Sequence, residues 1–259
     1  MSGMSRLAPA PTISAPEAKV RPRWWREVFL LWVMYLMYDG VRLLVAAGHG
    51  EAFANAHRVL DLERALHVAE EVPINHAVSA TPFLGVPMSF AYATLHYLVT
   101  PIVLVWLWRR HPERYRGART ALITATLIGL VGFWLFPTAP PRMMPGFVDT
   151  LAKYDGWGWW AGAASAPKGM AGLTNEFAAM PSLHVGWAAW CGWQVARTAT
   201  WRWLQVLGAV YPVFMFTVVV GTANHYIADA VAGLAVILAG AVIARFRERL
   251  RGHVSLWSA

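Results

Sequence analysis

Met180-Pro-Ser-Leu-His184 and His225-Tyr-Ile-Ala-Asp229 place two histidines and a carboxylate beside apolar stretches long enough to span a membrane. Ionisable groups are costly in such surroundings, and where they occur they mark chemistry. His225 and Asp229 are four positions apart. On a helix they share one face, with the carboxylate set to hold one ring nitrogen and leave the other free to react. That is a base or nucleophile with its orienter.

The neighbouring residues suit an anion. Proline fits the first turn of a helix because its missing N–H is not needed there, Ser182 offers a hydroxyl, and the unpaired amides of the turn attract negative charge. Two helices that begin on one face, after Met180 and at Tyr226, can point both N-termini at one phosphate. Arg142, in Phe136-Pro-Thr-Ala-Pro-Pro-Arg142, adds a guanidinium fork that binds phosphate oxygens two at a time, and its adjacent prolines restrict the chain just before it. Asn224 either caps the following helix or touches phosphate oxygens.

With a phosphoryl group in place, the expected division of labour is simple. His225 attacks phosphorus, Asp229 holds its ring and balances its charge, and His184 protonates the leaving oxygen, while Arg142, Ser182 and Asn224 bind the phosphate. No cofactor, metal or nucleotide is needed. Zinc held by His184, His225 and Asp229 is the competing reading, without a His-Glu-x-x-His or similar tight pair to support it.

The elements that must position these residues follow from composition. The 259 residues are 57% hydrophobic and 14% charged, against about 25% charged in a soluble domain, so the chain reads as an all-α integral membrane protein. About 20 apolar residues cross the hydrocarbon. Six segments approach that length: Val28 to Gly48, Phe83 to Trp108, Thr120 to Phe136, Pro181 to Ala199, Trp203 to Gly221, and Tyr226 to Ala244.

The fourth is the weakest, because Gln194 and Arg197 shorten its apolar part. With both termini cytoplasmic, sixteen lysines and arginines fall inside and five outside (Arg58, Arg64, Arg142, Lys153 and Lys168), with Arg42 within the first segment. That bias sets the orientation, and it brings all the candidate chemistry to the outer face without having used it.

Residues 1–27 are polar, contain Pro9, Pro11, Pro16 and Pro22, and have no apolar core, so a disordered cytoplasmic tail is expected rather than a cleavable signal. Residues 28–245 form the membrane domain and 246–259 a basic cytoplasmic tail. Glu51 to Ala80, with apolar residues among Asp61, Glu63, Glu70 and Glu71, predicts a helix lying at the outer surface. Pro137 to Ala179 predicts a long external loop whose Trp157, Trp159 and Trp160 rest on headgroups and roof the site.

A net charge of +8 without a basic stripe or aromatic repeat speaks for membrane orientation and against nucleic acid. Asp39 and Arg42 are placed to pair within the first helix. His96, near Tyr92 and Tyr97, serves either packing or substrate. Cys191 reads as a small buried apolar residue, and as the one cysteine it has no disulfide partner in the chain.

Met180-Pro-Ser-Leu-His184 and Asn224-His225-Tyr-Ile-Ala-Asp229 resemble the second and third signature motifs of the type 2 phosphatidic acid phosphatase superfamily, and Pro137-Thr-Ala-Pro-Pro-Arg142 resembles a degenerate first motif. The resemblance covers about Phe83 to Ala244 and implies a six-helix core, a phosphohistidine intermediate on His225, His184 as acid and Asp229 as orienter.

The phosphatase branch carries a lysine where this chain has Leu135, and a Ser-Arg pair where it has Val218 and Val219. With two phosphate-binding cations absent, the chain is closer to the branch of inositol phosphorylceramide and sphingomyelin synthases. The expected function is a lipid phosphotransferase, inositolphosphotransferase-like, at the outer face of a plasma membrane, taking a phospholipid or lipid phosphate and an alcohol acceptor. A lipid phosphate phosphatase using the same residues and a non-catalytic lipid transporter or scramblase are the alternatives.

Overall fold

A computed structural model describes residues 21–44, 49–161, 164–167 and 176–256. Nine α-helices appear among the described residues: α1 (Trp24–Leu44), α2 (His49–Ala65), α3 (Glu71–Ser79), α4 (Pro82–Arg110), α5 (Pro112–Leu135), α6 (Thr150–Lys153), α7 (Leu183–Thr198), α8 (Arg202–Gly221) and α9 (Ile227–Leu256). A short antiparallel pairing of Trp160–Ala161 with Ala164–Pro167 is the small exception to an all-helical fold.

Four helices are long and apolar enough to cross a membrane: α4, α5, α8 and the part of α9 from Ile227 to Leu250. The other two expected segments fall short for different reasons. Helix α7 has 16 residues, which rise about 24 Å against a hydrocarbon core of about 30 Å. Helix α1 has the length but carries Arg26, Glu27, Asp39 and Arg42. The expected Asp39–Arg42 pair lies outside the described side chains, and Lys168 outside the described residues. Helix α1 begins at Trp24, inside the stretch expected to be a tail, and α9 runs to Leu256 through the stretch expected to be the other.

The packing is that of helices in lipid. Large apolar side chains such as Ile102, Val105, Val206, Val213, Leu238 and Val242 point outward, while small residues lie where helices touch. A Cβ on Gly233 of α9 would strike the backbone carbonyl of Ser182, so α9 can reach the start of α7 this closely only as glycine. Helix α5 packs along α9, and α7 fits between α8, α9 and α4. On the side that carries the basic loops, Glu27 joins α1 to α5 through an ion pair with Arg119 and accepts a hydrogen bond from Tyr115 Oη at 2.8 Å.

The expected single surface helix over Glu51 to Ala80 is two, α2 and α3, separated at His67, whose φ of 57° breaks the helix. Their buried faces carry polar residues among apolar ones, Asn55 and Glu63 on α2 and Glu71 and Asn75 on α3. Asn55 donates to the Pro137 carbonyl at 2.9 Å, and Asn75 donates to the Gly221 carbonyl at 3.0 Å while accepting from Val148 N–H at 2.8 Å. These helices therefore splice the external loop to the end of α8. The three tryptophans of that loop also divide: Trp157 and Trp159 face outward, but Trp160 is fully buried and donates to the Leu151 carbonyl at 3.0 Å, as a core residue.

Candidate active site

Three separate chain segments meet at one end of the helical bundle. Ser182 is the N-cap of α7, its Oγ accepting from Val185 N–H at 3.4 Å, and it is fully buried. Its own N–H donates to the Asp229 carbonyl at 2.9 Å, which fastens the start of α7 to the first turn of α9. Arg142 N–H donates to the Ala223 carbonyl at 2.7 Å, which fastens the loop after α5 to the turn between α8 and α9. Ala223 takes a positive φ of 56° in that turn.

His225 sits in this turn, two residues before α9 begins, and not on the helix face that the four-residue spacing predicts. The consequence is a different holder for its ring. His225 Nδ1 lies 2.9 Å from the Ala179 carbonyl and 3.5 Å from Asp229 Oδ2. A carbonyl only accepts, so Nδ1 carries the proton and Nε2 is left with its lone pair. Asp229 instead spends Oδ2 on Tyr226 N–H at 2.9 Å, capping its own helix, and stands fully buried beside the imidazole.

The two imidazoles meet. His225 Nε2 is 3.4 Å from His184 Nδ1. The lone pair on His225 Nε2 makes His184 Nδ1 the donor of this contact. His184 Nε2 is buried and has no hydrogen-bond partner among the described residues. The His184 ring is stacked on Tyr92, centroids 4.4 Å apart, and edged by His96 at 4.3 Å. His96 Nδ1 in turn donates to the Tyr92 carbonyl at 3.1 Å. The structure thus draws His96 into the wall that holds His184.

Arg142 is packed against Asn224 and Asp149. Its Nη1 donates to Asn224 Oδ1 at 3.0 Å, and its buried Nε lies 3.6 Å from Asp149 Oδ2 without a hydrogen bond. Asn224 Nδ2 donates to Thr222 Oγ1 at 2.9 Å, so its amide is engaged by Arg142 on one side and Thr222 on the other. Asp149 also caps α6 through Ala152 N–H at 2.8 Å. Burial pushes its carboxyl above the ordinary carboxylate range, against the pull of the Ala152 amide and of Arg142.

The two helix N-termini turn out to differ. In α9 the Tyr226, Ile227 and Ala228 amides are taken by the carboxylates of Asp229, Glu71 and Glu63, at 2.9, 3.1 and 2.7 Å, so this end is closed to phosphate. In α7 the Leu183 and His184 amides make no hydrogen bond among the described residues. Glu63 and Glu71, 1% exposed each, were absent from the sequence-based set of site residues. The periodicity of α2 could have found the first: Ala52, Ala56, Val59, Leu60 and Glu63 fall on one face, which puts a carboxylate on the apolar stripe. Among the described residues no cluster of three His, Cys, Asp or Glu has the geometry of a metal site.

Comparison with known proteins agrees with this architecture. No curated protein and no solved structure matches the chain. A family model described as the PAP2 superfamily matches residues 57–243, from the middle of α2 into α9 as far as Ile243, and so takes in every residue of the candidate site. The chain belongs to the PAP2 superfamily, and with that membership it is a membrane enzyme of the lipid phosphatase and phosphotransferase kind.

Proposed function

We propose that the protein is a lipid phosphotransferase that works through a phosphohistidine on His225, at the outer face of the plasma membrane. The observation that carries this reading is the approach of His225 Nε2 to His184 Nδ1 at 3.4 Å, beside a buried arginine and two free helix amides. The phosphate oxygens lie against the Leu183 and His184 amides, the Ser182 hydroxyl and the Arg142 fork, which Asn224 and Asp149 aim.

The His225 Nε2 lone pair forms a bond to phosphorus as the bond from phosphorus to the leaving oxygen breaks, and that oxygen takes a proton from imidazolium His184. The second proton of that imidazolium sits on the buried, unpartnered Nε2, where the negative charge of the bound phosphoryl group supports it. An acceptor oxygen then gives its proton to neutral His184 and attacks phosphorus. The bond to nitrogen breaks and the lone pair returns to His225. The Ala179 carbonyl and the Asp229 carboxylate hold and balance the positively charged ring in between.

Six membrane passes, with α1 and α7 added to the four long apolar helices and both termini in the cytoplasm, agree with the excess of lysine and arginine in the loops of that side. A lipid or inositol hydroxyl as acceptor is supported by what replaces the two cations of the phosphatase branch. Leu135 is exposed on the outer surface of α5, and Val218 and Val219 are fully buried in apolar core. At these motif positions, all among the described residues, the chain therefore has one cation where a phosphatase of this family has three. Water in place of the alcohol gives the phosphatase reaction with the same residues.

Purified protein incubated with phospholipid labelled in its phosphate, with inositol or a lipid alcohol present, is expected to move the label onto the acceptor. Label released only as inorganic phosphate in the presence of those acceptors overturns the transferase reading.

A further inference from the structure

The first turn of α9 is held from outside by two acidic side chains that the reaction itself does not use. Glu71 Oε1 accepts from Ile227 N–H at 3.1 Å, and Glu63 Oε1 accepts from Ala228 N–H at 2.7 Å. Both come from the external helices, both are 1% exposed, and Glu63 Oε2 is buried with no donor facing it. Two buried carboxylates side by side, next to a third at Asp229, are strongly unfavourable if all are ionised. One proton resolves this: carried by Glu63 Oε2, it is donated to the Glu71 carboxylate, and the orphaned oxygen becomes a hydrogen-bond donor.

We propose that Glu63 and Glu71 are positioning residues, a carboxylic acid and a carboxylate sharing one proton, that clamp the first turn of α9 and thereby set His225 and Asp229. The catalytic half of this inference rests on the function proposed above; the shared proton does not.

Among the described residues the pair has no other neutralising partner. From α9 it faces Asp229 and the backbone amides; from the turn before α9 it faces Tyr226, whose hydroxyl donates to the Ala139 carbonyl. The basic side chains of α2 look elsewhere, Arg58 to Asn55 Oδ1 and Arg64 to Asp61. Neither glutamate forms an ion pair among the described residues. Burial first, and the neighbouring Glu71 carboxyl second, push the Glu63 carboxyl up to about 9.

The clamp is also the point at which the external helices act on the site. Asn75, four residues beyond Glu71 on α3, holds the Gly221 carbonyl at the end of α8. Glu71 holds Ile227, and Glu63 holds Ala228. The turn carrying His225 is therefore pinned at both of its ends by α2 and α3.

The test is Glu63→Gln, whose amide can keep both bonds, accepting from Ala228 and donating to Glu71, but has no proton to lose. A carboxyl raised from 4.5 to about 9 by folding adds stability below 4.5 that is lost as pH rises towards 9. The wild-type protein in detergent is therefore expected to show a lower unfolding midpoint at pH 9 than at pH 6, and Glu63→Gln a distinctly smaller drop.

With radiolabelled phosphatidic acid in mixed micelles, Glu63→Ala is expected to lose activity about a hundredfold, through kcat and not KM, because the nucleophile is misplaced. Glu63→Gln is expected to restore most of that loss and to shift the alkaline limb of the pH profile upward. The same pH slope in Glu63→Gln as in the wild type, or a Glu63→Gln protein that does not fold, overturns the shared proton. An inactive wild type with the predicted slopes would overturn the proposed function and leave the clamp standing.

Discussion

Helices α7 and α9 both begin at the candidate site, and they treat their first amides in opposite ways. Helix α7 caps itself with Ser182 and leaves the Leu183 and His184 amides without a hydrogen-bond partner among the described residues. Helix α9 fills its first turn with three carboxylates, two of them imported from other helices. An N-terminus with open amides and positive dipole suits a phosphate, whereas one filled by carboxylates repels it and is good for holding a residue still. The difference separates binding from positioning: in the proposed reaction the phosphate belongs to α7, and the nucleophile belongs to the turn that α9 anchors.

The largest expected effect tests the α9 side. His225→Ala removes the atom that bonds to phosphorus and is expected to lower turnover to background while leaving the protein folded and still binding lipid. His184→Asn removes only the proton, with an expected loss of about 10²–10⁴ that shrinks for substrates with good leaving groups. Equal losses for natural and activated substrates would deny His184 the part of acid. A transport function that needs no chemistry would leave lipid movement in reconstituted vesicles intact in His225→Ala, and so would break the comparison at its root.

A smaller effect tests whether the two helix starts depend on each other. Gly233→Ala places a methyl group against the Ser182 carbonyl, and α9 must move off α7 to admit it. The expected cost is about 1–3 kcal/mol of stability, typical of overpacking, with a fall in kcat because Ser182 N–H and the Asp229 carbonyl part. Thermal unfolding and kcat measured on one preparation check both halves. Unchanged kcat in a destabilised protein would show that the register of α7 on α9 does not matter to the chemistry.

Much of this arrangement was legible in the residues, and the exceptions have physical causes. Four of the six expected segments match helices to within about four residues at their described ends, because apolar runs have abrupt ends, while α9 runs twelve residues past the expected Ala244. Helix α5 begins eight residues before the expected Thr120, since Arg114, Arg116 and Arg119 continue the helix beyond its apolar part and charge alone does not end one.

The candidate site residues with a chemical signature, His184, His225, Asp229, Arg142, Ser182 and Asn224, carry motifs that single them out, and the structure brings them to one end of the bundle. Their partners carry no such motif. The Ala179 carbonyl that holds His225 is backbone and leaves no mark on the sequence, and a spacing of four suggested a helix face where there is a turn. Glu63 and Glu71 looked like solvated charges of a surface helix, because a break at His67 does not announce itself in a histidine.

The smallest effect sharpens what the α7 start does. Ser182 Oγ accepts from Val185 N–H and so has its own proton left for a phosphate oxygen. Capping and phosphate binding can be separated by comparing two substitutions. Ser182→Ala loses the cap and is expected to cost about 1 kcal/mol of stability, whereas Ser182→Gly costs only a few tenths, because glycine is tolerated at an N-cap. Both remove the hydroxyl, so both lose the same hydrogen bond to a charged ligand, worth about 1.5–3 kcal/mol, and KM is expected to rise by roughly tenfold to a hundredfold in each. Stability that differs between the two variants while KM coincides places the hydroxyl on the phosphate. KM that follows stability would reduce Ser182 to a cap and leave the anion to Arg142 and the two open amides.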